Sequence, residues 1–154
     1  MIRTLMTGAL LGFMTLFLSS HLFAQEDMLK KRKDLMQAQN ASIKAITKAN
    51  EEKDYATIDI KAKEIMGYTD NILAVFPKGS IPEKSRAHPD IWEKWDDFGK
   101  RVDSTKKAAG ALSKAAAAKD EAGVATQVKA LGNTKSGSCG DCHKAFRADF
   151  RKAN

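Results

Sequence analysis

Cys139-Gly140-Asp141-Cys142-His143, near the C-terminus, is the stretch from which the rest of the chain is read. Two cysteines separated by two residues and followed at once by histidine match the C-x-x-C-H pattern of covalent haem attachment. The chemistry requires this spacing. Two thiols must each add to a vinyl group on one edge of a porphyrin, giving two thioether bonds. On a helix, Cys139 and Cys142 stand at i and i+3 and face the same way. His143 follows directly and can turn an imidazole nitrogen onto the iron. A redox dithiol would want a βαβ setting, and no strand pattern lies nearby. A structural zinc site wants four ligands and finds three. A disulfide between cysteines three apart would constrain little. The whole chain has only two Cys and three His, so the pattern is specific.

The chain has 154 residues, enough for one domain with a real core. Its start reads as a leader. Arg3 is followed by the apolar run Ala9 to Phe17 and by Leu22-Phe23-Ala24. That order describes a secretory signal peptide over residues 1–24, with the domain proper at 25–154. The apolar run is short for a transmembrane helix. Removing 24 residues, among them one basic and no acidic side chain, takes a 154-residue chain of charge +7 to 130 residues at +6. A basic, exported protein points to periplasmic localisation and to an acidic partner protein or a membrane surface. Nucleic acid is not expected, since basic and aromatic residues do not interleave. Export also agrees with thioethers, which consume both thiols in an oxidising compartment.

The mature chain reads as helical throughout. Leu29, Met36, Ile43 and Ile46 share one face of a helix from Asp27 to Ala49, with the charged Arg32 on that same face. Asn50 to Lys53 is a polar turn. Ile58, Ala62, Ile65, Thr69, Ile72 and Phe76 mark a second helix ending before Pro77. All three prolines fall in the segment Pro77 to Pro89, the one long connection. A third helix from Asp90 or Ile91 carries Ile91, Trp95, Phe98, Val102, Thr105, Ala109, Leu112 and Ala116 in an unbroken 4-3 stripe. A fourth begins after Asp120, a plausible N-cap, with Val124, Val128, Leu131, Ser138, Cys142, Phe146 and Phe150. Gly132-Asn133 and Ser136-Gly137-Ser138 suggest a bend or break within it. Lys144, Arg147, Arg151 and Lys152 form a basic outer face. Four amphipathic helices with short first and third links describe an all-α antiparallel four-helix bundle, with the porphyrin between helices near the C-terminal end. Without it a large void would remain, so a loosely folded apoprotein is expected.

With its haem motif at the C-terminal end, Arg32-Lys33-Asp34-Leu35-Met36 in the first helix and Ser85 to Trp92 opening the third, the chain resembles the class II c-type cytochromes: cytochrome c prime and its low-spin relatives. The resemblance covers residues 25–154. It implies one haem c per chain, attached through Cys139 and Cys142, with His143 as proximal ligand. It implies that Arg32 pairs with a haem propionate and that Met36 faces the open side of the iron. In low-spin members a methionine at this position is the sixth ligand; in cytochrome c prime the residue there only covers a five-coordinate iron. Gln37 to Ala41 lacks the aromatic common beyond this position in cytochrome c prime, which favours Met36 as a ligand over Met36 as a mere cover; His88 is an alternative ligand only if its loop folds over the haem.

The expected function is therefore one-electron transfer in the periplasm, without enzymatic turnover. The alternative is a five-coordinate protein that binds nitric oxide or carbon monoxide. The resemblance also implies redox partner proteins and a homodimer through the first two helices.

Overall fold

A computed structural model describes the backbone over residues 8–82 and 84–148, with side chains from residue 25. The side chains of the expected leader, and all of Phe150, Arg151 and Lys152, lie outside the described residues. Among the described residues six α-helices follow one another: α1 (Gly8–Glu51), α2 (Tyr55–Asp70), α3 (Asp90–Glu93), α4 (Trp95–Ala117), α5 (Glu121–Leu131) and α6 (Gly137–Phe146), with a 3-10 turn at Leu73–Val75. No strand forms among the described residues; Ala87 and Arg147 meet in an isolated antiparallel bridge.

Local chemistry sets the helix ends. Asp54 and Asp120 cap α2 and α5, their carboxylates accepting the backbone N–H of Thr57 and of Gly123, each at 3.0 Å. The tight links before these caps put Lys53 and Lys119 at φ 54° and 55°. Such short links make α1 and α2, and α4 and α5, antiparallel neighbours. α2 packs on α1 and α4, and α4 on α5 and α6, while α5 returns to α1 and closes the bundle.

The 3.6-residue stripes of the sequence become its core. Ile46, Ile58, Ile65, Leu112, Val124 and Leu131 are fully buried and fill one end. Each such side chain contributes about 1.5–3 kcal/mol by leaving water. At the other end Ile72, Phe76, Ile91, Phe98, Val102 and Phe146 form a second cluster, against which Leu35, Met36 and Cys142 pack. Phe98 meets Phe76 and Phe146 edge-on at 5.1 and 5.3 Å.

Three boundaries depart from the periodicity. α2 stops at Asp70, and Ile72 and Phe76 reach the core from the turn beyond it. The third stripe is broken at Lys94, where φ −119° and ψ 42° separate α3 from α4. Trp95, expected inward, is therefore 38% exposed. The last helix is two. Gly132 ends α5 at φ 71° and Gly137 opens α6 at φ 61°. A Cβ on Gly132 would lie 2.0 Å from Ser136 O, and one on Gly140 would lie 2.4 Å from the carbonyl carbon of Lys135. Substituting Gly132 by alanine should cost at least about 3 kcal/mol, from strain at a positive φ together with the backbone clash. Urea unfolding would measure it, with Gly67→Ala as control, where an added methyl meets nothing within 4 Å.

Candidate functional site

A cleft of about 490 Å³ opens beside the aromatic cluster. α1 supplies one wall through Leu29, Arg32, Met36 and Gln39. α6 supplies more of the lining through Cys139, Cys142 and His143. Phe76, Ile91, Phe98 and Phe146 form its apolar floor. All five site residues expected from the sequence thus line one cavity. His88, the alternative ligand, does not line it; its Nδ1 lies 2.8 Å from Asp90 Oδ1.

The break between α5 and α6 arranges the cysteine wall. The close approach of Gly140 to Lys135 brings the start of α6 against residues 134–136. There His143 Nδ1 lies 3.3 Å from Thr134 O. A proton on Nδ1 donates to that carbonyl and leaves the acceptor lone pair on Nε2, which orients the ring as an iron ligand. Both cysteines are free thiols. Burial pushes the Cys139 thiol up to about 11 and the Cys142 thiol up to about 12. A working redox dithiol needs the opposite shift, toward thiolate. The burial of these thiols runs against that role.

Arg32 is the charged side chain in the apolar seam of α1. Its Nε donates to Val75 O and its Nη2 to Ser80 Oγ, while its Cζ lies 4.3 Å above the Phe76 ring. It thereby ties the start of the 77–89 loop to α1, a role that sequence alone did not suggest. Its Nη1 is buried without a hydrogen-bond partner among the described residues. Burial lowers its pKa, yet a guanidinium stays charged at neutral pH. An Arg32→Leu variant should lose about 2–3 kcal/mol of stability, on the scale of hydrogen bonds made by a charged group. Arg32→Lys should recover little of it, lacking the planar fork; chemical denaturation of both variants would check this.

The cleft's chemistry fits a haem. Two thiols and an imidazole share one wall, and aromatic and aliphatic side chains form the floor. Lys33, Lys84, Arg86 and Arg147 join Arg32 along the lining, with no acidic side chain among its described residues. Cations at the rim suit the two propionates of a porphyrin.

The sequence profile described as Cytochrome C' matches residues 27–147. The chain belongs to the cytochrome c' family. Cytochromes c' carry covalently attached haem c, so the cofactor of this chain is haem c with its iron. Cytochrome c-554 of Cereibacter sphaeroides is 35% identical over 105 residues, 64% of this chain and 65% of its own length. Cytochrome c' of Rhodospirillum rubrum is 34% identical over 89 residues, 57% of this chain and 58% of its own. The chain thus spans less than two thirds of the length of either relative. Among solved structures, a leucine-to-alanine variant of cytochrome c prime from Alcaligenes xylosoxidans, complexed with nitric oxide, superposes with a TM-score of 0.69 at 24% identity. The match covers 80% of this chain and 94% of that one, and speaks to the fold. Cytochromes c' are four-helix bundles, and here α1, α2, α3 with α4, and α5 with α6 fill the four positions.

Sequence reading passed over Gln39. It is buried and lines the cleft between Met36 and Ile43. Its signal was its position: three residues after Met36 it continues the 3-4 seam, but a polar residue in a polar neighbourhood reads as surface.

Proposed function

We propose that this protein is an exported monohaem carrier of single electrons, with no enzymatic turnover of its own. The observation that carries the proposal is the shared lining of one cleft: Cys139, Cys142 and His143 on α6, Met36 and Arg32 on α1. When bound, the haem iron supplies the ferric/ferrous couple. Cys139 and Cys142 hold the porphyrin edge as thioethers. His143 ligates through Nε2 while Nδ1–H is held by Thr134 O. Met36, half-buried at the cleft, would serve as the sixth ligand, and a neutral thioether ligand would raise the reduction potential. Arg32 Nη1 pairs with a propionate, which supplies the partner it otherwise lacks. The basic lining and Lys144 on α6 favour an acidic redox partner, drawn by long-range attraction that salt weakens. Residues 1–24 direct the chain to the periplasm as a cleaved leader. A homodimer through α1 and α2 would cover Ile60, 55% exposed on α2.

A second reading is gas binding at a five-coordinate iron, favoured by the fold shared with the nitric oxide complex of cytochrome c prime. Absorption spectra of the purified protein separate the two. A low-spin spectrum unaffected by carbon monoxide on reduction is the expected result for the carrier. A high-spin spectrum that shifts with carbon monoxide would overturn Met36 ligation and make gas binding the function.

A further inference from the structure

Two buried side-chain nitrogens have no hydrogen-bond partner among the described residues: Arg32 Nη1 and Gln39 Nε2. Both residues line the α1 wall of the cleft and both are more than nine-tenths buried, at 4% and 7% exposure. Arg32 has its Nε engaged by Val75 O in the 3-10 turn and its Nη2 by Ser80 Oγ in the 77–89 loop. Gln39 has no such structural task for its Nε2. A buried amide donor left alone costs about 1–3 kcal/mol, so a leucine here would be the more stable choice for packing alone. The residue's position suggests its partner. Leu29, Arg32, Met36, Gln39, Ile43 and Ile46 follow one another at 3-4-3-4-3 spacing along one face of α1. A helical side chain leans back over the turn N-terminal to its own Cα. Gln39 therefore leans toward Leu35 and Met36, and residues three apart hold their Cβ atoms about 5–6 Å from one another. The amide is within reach of the Met36 thioether.

We propose that Gln39 is a positioning residue for the sixth ligand: with haem in the cleft, its Nε2–H donates a hydrogen bond to Met36 Sδ. The inference rests on the reading of Met36 as the iron ligand. A thioether sulfur has two lone pairs, and ligation uses one. The amide takes the other, which fixes the rotation of the Met36 side chain. It also turns the positive end of an N–H dipole toward the iron. In a site screened from water that dipole disfavours the extra charge of the ferric state and raises the reduction potential.

The test uses the haem-loaded protein. In Gln39→Leu the iron should remain low-spin, while the ferrous form is disfavoured roughly three- to tenfold, one hydrogen bond's worth. At 59 mV per tenfold for one electron, the potential should fall by about 30–60 mV. Gln39→Asn, which keeps the amide on a shorter stem, should recover part of that drop. A measurement without substitution accompanies it. In the ferrous, diamagnetic protein the Gln39 side-chain amide protons should be protected from exchange and shifted by the porphyrin ring current. A low-spin protein whose potential is unchanged in Gln39→Leu, or whose Gln39 amide protons exchange freely at ordinary shifts, overturns the role of Gln39 and leaves Met36 ligation standing. A high-spin wild-type protein overturns both.

Discussion

A Cys139→Ala, Cys142→Ala double variant is expected to retain no haem under denaturing conditions and to lose most of its cooperative unfolding. The covalent part follows from having two cysteines in the chain, both on the cleft. The folding part follows from volume. A cavity term of about 24 cal/mol per Å³, applied to a cleft of about 490 Å³, reaches about 12 kcal/mol. The cleft is open on one side, so that figure is an upper bound. It is still of the order of a domain's whole stability, about 5–15 kcal/mol. A chain that cannot hold the porphyrin should relax into helices packed around the Ile46–Leu112 end, while the Phe76–Phe98–Phe146 end loosens. Haem staining after denaturing electrophoresis reads the first effect, and the calorimetric transition reads the second. Each single cysteine variant keeps one thioether and His143, and should fall between the double variant and the wild type.

Met36→Ala is expected to convert a low-spin iron to a high-spin one that binds carbon monoxide. Met36 on α1 and His143 on α6 line the same cleft. An internal ligand held by the fold competes with any external one. If the thioether leaves the iron about 1% of the time, apparent affinity for carbon monoxide is reduced about 100-fold, and truncation should restore that factor. The reduction potential should fall as well, since a thioether ligand favours ferrous iron. That fall should exceed the one from Gln39→Leu, which removes a hydrogen bond and leaves the ligand. Ferric absorption, carbon monoxide titration of the reduced form and a redox titration read the three effects. Stability should change less than in the cysteine variant, because Met36 is only half-buried.

The helices were legible because their inward faces are simple. Ile58, Ala62, Ile65 and Thr69 on α2, and Val102, Thr105, Ala109 and Leu112 on α4, recur at 3.6-residue spacing and are all buried. The haem motif was legible because covalent chemistry constrains its residue types and spacing. The breaks were less so. Nothing in Glu93-Lys94-Trp95 marks the non-helical backbone at Lys94. Beside that kink Trp92 docks on the turn before it, its Nε1 donating to Phe76 O at 3.0 Å. The glycines at 132 and 137 announced an interruption, but not that the backbone of residues 134–136 would pack beneath His143 and Gly140. Arg32 was found as an anomaly and assigned to the haem; its hydrogen bonds to Val75 and Ser80 depend on a turn 43 residues away and cannot be read from periodicity. Gln39 was hidden for the converse reason. A polar residue on a stripe is noticed only once its burial is known.

X-ray absorption at the iron edge of the ferrous protein tests most directly whether α1 and α6 hold one iron between them. One sulfur scatterer should accompany the porphyrin nitrogens and a single imidazole nitrogen, and it should vanish in Met36→Ala. Nitrogen scatterers alone in the wild-type protein would contradict the assignment of Met36 and leave the iron open on the α1 side.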